Sequence, residues 1–189
     1  MAISSSAPFT LPDEPLVTVC ALARGPAQLA AHFAIRRSVF VEAQGLFRQD
    51  DRDERDGQAA TLHAVGVAGD EVVGAVRLYP LDDAGLWKGD RLAVLPSERA
   101  LRLGAMLVRF AVRTAGELGG RRMVAQVQVA NVLFFKRLGW QCDGDPAPML
   151  GVEHQPMAIE RLSSDPPEIV DGETPRDSVR SGLSRHPGR

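Results

Sequence analysis

Residues 91–107, RLAVLPSERALRLGAML, combine residue types that suit the binding of an anion. Pro96 ends a predicted strand, and a short loop containing Arg99 leads into a long predicted helix. Arg102 and Gly104 lie where that helix opens. The first turn of a helix has unpaired N–H groups and a partial positive charge. Arginine adds forked donors for phosphate, and glycine leaves room for close approach to the backbone. The pattern predicts a pyrophosphate cradle, or an ordinary connection with two solvated arginines.

The elements that must position this segment alternate between strands and helices. Period-two and period-3.6 hydrophobic patterns predict strands over Leu16–Ala23, Thr61–Ala68, Glu71–Pro80, Asp90–Leu95, Met123–Val129, Trp140–Cys142 and Gln155–Leu162. Helices are predicted from Pro26 to about residue 43, over residues 99–118, and from Asn131, whose side chain can cap it, to Gly139. This order predicts an α/β fold with a mixed sheet and helices on both faces.

Length and composition predict one domain with two tails. The chain has 189 residues, which fits a single domain over residues 16–162. Residues 1–15 and 163–189 contain little to bury, so both are predicted to be disordered. The formal net charge of −2 argues against a general nucleic-acid binder.

Several other classes of protein are disfavoured by the sequence. Cys20 and Cys142 lie far apart without a Cys/His cluster, so neither a metal site nor a disulfide framework is expected. No apolar run approaches the length of about 20 residues that a membrane span needs. The N-terminus lacks the features of a secretory signal, so the predicted location is the cytoplasm.

The segment around Pro96 resembles the acyl-CoA-binding motif of the GNAT superfamily of N-acetyltransferases. Val94 and Pro96 match its V-x-P strand end, Arg99 fills its first loop position and Gly104 its last, whereas Arg102 stands where a glycine is usual. The resemblance implies a single GNAT-like domain with a mostly antiparallel sheet whose fourth and fifth strands splay apart. It also implies acetyl-CoA as co-substrate, no metal, and binding of the co-substrate by Leu92, Ala93, Val94, Arg99, Ala100, Leu101, Arg102, Leu103, Gly104, Ala105, Asn131, Phe134 and Phe135.

Residues 131–140, NVLFFKRLGW, resemble the closing motif of the same superfamily. Phe135 occupies the position at which many members have a tyrosine that protonates the departing thiolate. Phenylalanine has no proton to give, so that general acid is absent. A thiol has a reference pKa of about 8.5, so a thiolate can leave near neutral pH without it.

Three further segments resemble the ElaA-type branch of the superfamily and a bacterial subgroup found beside nitrilase genes. These are residues 35–47, the acid-rich residues 50–56 followed by His63, and residues 151–157. The glutamate that the branch places before Gln44 is Ala43 here. The acidic loop either attracts a cationic amine or is simply solvated.

The resemblance implies direct transfer of an acetyl or short acyl group from acyl-CoA to an amine, with a small molecule as the expected acceptor. A base must take a proton from the attacking ammonium. His154, near the end of the sheet, is the first candidate and Glu42 is the second, although each also fits a structural role. Gln126 and Gln128 line either the groove or a polar sheet face. A homodimer is also compatible with the resemblance.

Two other functions fit the same motifs. One is a binding module that holds acyl-CoA without turning it over, which Phe135 and Arg102 favour somewhat. The other is an enzyme like the acyl-homoserine lactone synthases, in which an Arg-x-x-Val-Phe-Val helix also precedes an acidic loop. That enzyme would need S-adenosylmethionine. Binding of acetyl-CoA, free CoA and S-adenosylmethionine discriminates among these functions.

Overall fold

A computed structural model of the chain describes residues 18–96, 102–160 and 162. The predicted tails and the predicted co-substrate residues Arg99, Ala100 and Leu101 lie outside these ranges. The strands are β1 (Thr18–Leu22), β2 (Leu62–Ala68), β3 (Glu71–Pro80), β4 (Leu86–Val94), β5 (Arg122–Gln128), β6 (Gln141–Cys142), β7 (Ala147–Met149) and β8 (Val152–Glu160). The helices are α1 (Gly25–Arg37), α2 (Leu103–Glu117) and α3 (Val132–Arg137), with a π-helical turn over Ser38–Ala43 and 3-10 turns over Glu54–Gly57 and Val129–Asn131.

The strands form one mixed sheet in the order β1-β2-β3-β4-β5-β8-β6, and β7 pairs with β8. The pairing of β4 with β5 is parallel, and the other pairings in the described sheet are antiparallel. The predicted α/β class and the mostly antiparallel sheet are therefore confirmed.

The fourth and fifth strands separate after a short paired segment. Leu86, Trp87 and Lys88 pair with residues 122–124, and the pairing ends there. Beyond this point β5 stays paired along its other side with β8 as far as Gln128. The predicted splay is confirmed, and it leaves one edge of each strand open between Gly89 and Val94 on β4 and the end of β5.

Hydrophobic residues cover both faces of the sheet. On one face, α2 buries Leu103 and Leu107 completely, and each such side chain contributes about 1.5–3 kcal/mol of transfer free energy. This close packing needs glycine in the sheet, because a Cβ at Gly74 would lie 2.8 Å from Leu107 Cδ1. On the other face, α1 and the π-helical turn pack Ile35 and Phe40 into a smaller cluster.

The structure corrects several predicted boundaries. Strand β4 begins at Leu86 rather than Asp90, because residues predicted as a loop pair with both neighbouring strands. The three-residue strand β7 was missed, since it is short and contains Pro148. Helix α1 ends at Arg37 and continues as a π-helical turn. Asn131 precedes α3 as predicted, but its side chain makes no capping hydrogen bond.

Candidate active site

The gap between β4 and β5 opens a cavity of about 210 Å³. Residues from both faces of the sheet line it, because the splay interrupts the sheet where the two strands diverge. Its lining is Phe40, Gln44, Leu46, Phe47, Val76, residues 88–92, Val108, Ala111, Met123, residues 125–128, Asn131, Phe135, Trp140, Met149, Leu150 and His154. The cavity therefore joins the side of α2 and α3 to the side of α1.

A bulge in β4 shapes one wall of this cavity. The register changes between the pairs Ala75–Ala93 and Arg77–Asp90, so β4 has extra residues over this stretch. Arg91 lies in the bulge with a φ of 53°, a left-handed conformation that costs a residue other than glycine about 1–2 kcal/mol. Its guanidinium group donates to the backbone oxygen of Asp51 at 3.1 Å, which holds the bulge against the acidic loop.

Arginines of the sheet and of α1 form ion pairs with three aspartates of the acidic loop, residues 50–56. Arg36, completely buried, lies 2.8 Å from Asp51 and 2.6 Å from Asp56. Arg77, also buried, lies 2.6 Å from Asp53. Asp51 and Asp56 belong to a buried ionic network beside the cavity, which neither predicted role of the loop, attraction of a cationic amine or simple solvation, describes. Asp50, Asp53 and Glu54 of the same loop are exposed.

Ionisation in this network follows from burial and from the paired charges. Burial would raise the pKa of Asp56, but the hydrogen bond from Arg36 and the charge of Arg77 hold that pKa well below its usual range. Burial lowers the pKa of His32 to about 3 and that of His63 below its ordinary value. Both imidazoles are therefore neutral at pH 7. His63 has a structural role here, since its Nδ1 lies 3.3 Å from His32 Nε2.

His154 lines the cavity with only 6% of its surface exposed. Its Nδ1 lies 2.8 Å from the backbone oxygen of Val152, and because a carbonyl can only accept, Nδ1 carries the proton. In the neutral ring, Nε2 then has a free lone pair. His154 pairs with Gln128 across the strands, so it faces the same side of the sheet as α1.

Glu42, the other predicted base, is not brought to the cavity. It lies on the π-helical turn with 58% of its side chain exposed, 3.3 Å from Arg37. Neither residue lines the cavity. The geometry gives the carboxylate of Glu42 an ion pair on the surface and no contact with the lining.

The start of α2 holds the described part of the predicted phosphate site. Arg102 precedes the helix with a φ of 56°, so it keeps the left-handed conformation that a glycine would adopt there. Its carbonyl accepts from the N–H groups of Ala105 and Met106. Gly104 faces Phe134, and a Cβ there would lie 3.6 Å from Phe134 Cζ.

The other predicted co-substrate residues fall into two groups. Leu92, Asn131 and Phe135 line the cavity itself. Val94 packs near Gly104, whereas the side chains of Ala93 and Leu103 are buried in the two cores, so only their backbones are free to face a ligand. The interpretation of Gln126 and Gln128 as groove residues is supported, since both line the cavity.

Sequence analysis missed several lining residues. Gln44 accepts a hydrogen bond from Gln128 Nε2 at 3.2 Å across the cavity. Met149 and Leu150 reach the cavity from the β7–β8 turn, which was not predicted. Lys88 lines it from the part of β4 that was predicted as loop. The sequence did mark Lys88 as unusual, because the chain contains only one other lysine, Lys136.

Comparisons with known proteins identify the class. The family model described as "Acetyltransferase (GNAT) family" matches residues 29–140, and the chain therefore belongs to this family. The uncharacterized N-acetyltransferase YjcF of Bacillus subtilis (strain 168) is 28% identical over 120 residues, which cover 64% of this chain and 83% of that protein. The chain is thus a CoA-dependent N-acyltransferase.

Two solved structures show the same fold. Escherichia coli ElaA superposes with a TM-score of 0.67 at 22% identity, over 77% of this chain and 99% of that chain. The CoA-dependent acyl-homoserine lactone synthase BjaI, crystallised with SAM and isopentyl-CoA, gives a TM-score of 0.61 at 21% identity, over 70% of this chain and 75% of that chain. The predicted membership of the GNAT superfamily is confirmed by the family match.

Metal-holding clusters and membrane-spanning helices are absent from the described residues. In residues 18–96, 102–160 and 162, no group of three or more His, Cys, Asp or Glu side chains is arranged to hold a metal ion. None of the helices in these ranges is long and apolar enough to cross a membrane.

Proposed function

We propose that the protein transfers an acetyl or short acyl group from acyl-CoA directly to the amine of a small molecule. The observation that carries this proposal is the cavity between the splayed strands. Val108 and Ala111 of α2 line it on one side of the sheet, and His154 with a free Nε2 lines it on the other. A ligand that passes through the sheet can thus meet a proton acceptor.

The described residues around the start of α2 fit an acyl-CoA. The first-turn N–H groups and the positive end of the helix favour phosphate. Arg102 is exposed and adds a formal charge, and Gly104 leaves the backbone open. The open edge of β4 between Gly89 and Val94 offers backbone donors and acceptors to an extended chain.

The reaction needs a proton acceptor and a stabilised oxyanion. Acyl-CoA supplies an activated thioester carbonyl. His154 Nε2 takes a proton from the ammonium, directly or through water, and releases it to solvent, so that the free amine attacks the carbonyl carbon. As the C–N bond forms, the nitrogen loses its second proton to the same Nε2. A backbone N–H on the open edge of β4 near Leu92 donates to the developing oxyanion. The C–S bond then breaks and releases a thiolate, which takes its proton from solvent because Phe135 has none to give.

Thermal unfolding with acetyl-CoA, free CoA and S-adenosylmethionine in separate titrations tests the binding step. A ligand at about 100 times its Kd adds about 2.7 kcal/mol, which for this size raises Tm by roughly 5–10 °C. We expect a shift with acetyl-CoA and free CoA. Absence of any shift with either would overturn the proposal. A shift with S-adenosylmethionine would favour the acyl-homoserine-lactone-synthase-like alternative.

A thiol-release assay with His154→Gln tests the catalytic step. We expect kcat to fall by about 10²–10⁴ with the acetyl-CoA shift in Tm retained, because a general base contributes this much. Glu42→Gln is the matched control, since Glu42 lies outside the cavity lining, and its rate should match the unmodified chain. Equal rates for His154→Gln and the unmodified enzyme would contradict the role of His154. Thiol release absent with every amine would favour the binding module.

A further inference from the structure

We propose that the acceptor is an amino acid with an apolar side chain, and that Lys88 binds its carboxylate. This inference rests on the proposed function, because it concerns the acceptor side of the same cavity. It follows from the charges that line the cavity and from the apolar residues beside them.

Three residues of the acidic and basic types Asp, Lys and Arg line the cavity: Lys88, Asp90 and Arg91. Asp90 is neutralised by Arg77, whose Nε and Nη2 donate to its two carboxylate oxygens at 2.8 Å each. Arg91 is neutralised by the acidic loop, with its Nε 3.1 Å from Asp51 Oδ2. These two lining charges are therefore already paired within the protein.

Lys88 is the remaining charge. It pairs in register with Tyr79 and lies two residues before Asp90, so it is on the face of the sheet that carries α1, as His154 is. Among the residues that the structure describes, no carboxylate forms an ion pair with Lys88. Among the described residues, Lys88 is thus the one of these three lining residues that has no ion-pair partner.

This pattern of ion pairs favours an acceptor that carries a negative charge. An amine that carried only positive charge would meet Lys88 without finding an unpaired carboxylate in the described lining. A carboxylate on the acceptor pairs with Lys88 and leaves the amine directed toward His154 and the thioester. The zwitterion of an amino acid has both groups on one carbon. It is therefore a small acceptor, as a cavity of about 210 Å³ requires.

Apolar groups also line the acceptor side, beside Gln44, Gln126 and Gln128. Phe40, Leu46 and Phe47 line it from the π-helical turn and the segment that follows. Met149 and Leu150 stand at the β7–β8 turn with 40% and 49% of their surfaces exposed. An apolar acceptor side chain would cover these groups and remove them from water.

The transfer balances with this acceptor. The amine nitrogen bonds to the acyl carbon, the C–S bond breaks, and the thiolate of CoA leaves. His154 takes one proton from the ammonium before attack and the second from nitrogen as the amide forms, and passes both to solvent, from which the thiolate takes one. The product is an N-acyl amino acid that keeps its carboxylate.

The test compares acceptors that differ only in the carboxylate. L-phenylalanine, L-phenylalaninamide and 2-phenylethylamine are assayed by thiol release with acetyl-CoA, as are the corresponding sets for leucine and methionine. We expect kcat/KM to be highest for an amino acid, by about tenfold over its amide and amine, a ratio that corresponds to 1.4 kcal/mol. Lys88→Gln should remove this preference by raising KM for the amino acid, and Lys88→Glu should reverse it.

Lys136→Gln is the matched control, because Lys136 is exposed on α3 and does not line the cavity. It should keep the full preference for the amino acid. The shift of Tm with acetyl-CoA should be the same in all variants.

Three results would overturn the inference. They are an amide or amine preferred by the unmodified enzyme, a Lys88→Gln variant that keeps the preference, and binding of acetyl-CoA without turnover of any amino acid in the panel. In each of these cases acetyl-CoA still binds. Failure of the proposed function shows instead as no shift of Tm with acetyl-CoA in the unmodified chain, or as a shift without thiol release from any amine, including the amides and amines of the panel.

Discussion

Arg102 has a left-handed backbone conformation that glycine adopts easily and that is strained for arginine. Its φ of 56° costs about 1–2 kcal/mol for an arginine. We expect Arg102→Gly to leave the free energy of unfolding unchanged or raise it by up to about 1 kcal/mol, since the gain is partly offset by glycine's greater entropy loss. Affinity for acetyl-CoA should fall, because a charge near the phosphates is lost.

Arg109→Gly is the matched control for that substitution. Arg109 is exposed within α2, so glycine there should lower the free energy of unfolding by about 1 kcal/mol. Urea unfolding and titration with acetyl-CoA measure both quantities. Equal destabilisation by the two glycines would contradict a strained Arg102.

At Gly104 a substitution is expected to weaken binding of acetyl-CoA without lowering the stability of the fold. A Cβ at this position would lie 3.6 Å from Phe134 Cζ and 3.9 Å from Val94 Cγ2, which are ordinary contacts. Gly104→Ala should therefore leave stability unchanged or raise it by up to about 1 kcal/mol, the helix preference for alanine. We expect affinity for acetyl-CoA to fall about tenfold, since the methyl group blocks approach to the backbone.

Gly74→Ala provides the contrast, because its Cβ would lie 2.8 Å from Leu107 Cδ1 in the core. This variant should lose stability in urea unfolding, as overpacking typically costs about 1–3 kcal/mol. A Gly104→Ala chain that binds acetyl-CoA normally would show that phosphate does not approach the backbone at Gly104.

At the scale of elements, the buried His32 and the half-buried His63 join α1 to β2 and make this junction sensitive to acid. The pKa of His32 is lowered to about 3, chiefly by burial, and that of His63 is lowered for the same reason. Below pH 6.5 the unfolded chain binds protons that the folded chain does not. Stability should therefore be full above pH 6.5 and fall as the pH decreases from there toward 4.

Urea unfolding at intervals between pH 4.5 and 7.5, the range in which histidines of the unfolded chain titrate, measures this slope. Each proton taken up only by the unfolded chain contributes about 1.4 kcal/mol per pH unit. His32→Gln should be less stable at pH 7 but should show a shallower slope. The same slope in both chains would show that His32 is not responsible.

The elements also show what the sequence could and could not predict. The resemblance to the superfamily pointed to Leu92, Asn131 and Phe135, and all three line the cavity. They could be predicted because each belongs to a motif that lies in one short stretch of chain. The ionic network was not, since Arg36 and its carboxylate partners come from separate elements whose contact depends on the folded sheet. The sequence therefore did not show that Asp51 and Asp56 of the acid-rich loop are buried and ion-paired.

At the scale of the whole molecule, the register of the sheet decides which side chains share a face. Alternation along β5 predicted that Gln126 and Gln128 face one side, and the sheet confirms it. Lys88 was missed because β4 begins earlier than its hydrophobic run suggests. Strand boundaries depend on pairing with neighbours that are distant in sequence, so the lining was harder to predict than the fold.

The C-terminal end of the folded domain can be tested by shortening the chain. Leu162 packs against the α2 side of the core, and a Cβ on Gly116 would lie 2.9 Å from its carbonyl oxygen. A chain cut to residues 16–162 should keep the Tm and the acetyl-CoA shift of the full chain. A chain cut to residues 16–160 should lose about 1–2 kcal/mol, because part of the surface that Leu162 covers is exposed to water. Equal Tm values for the two shortened chains would show that Leu162 does not close the domain, and a lower Tm for 16–162 would place part of the fold beyond it.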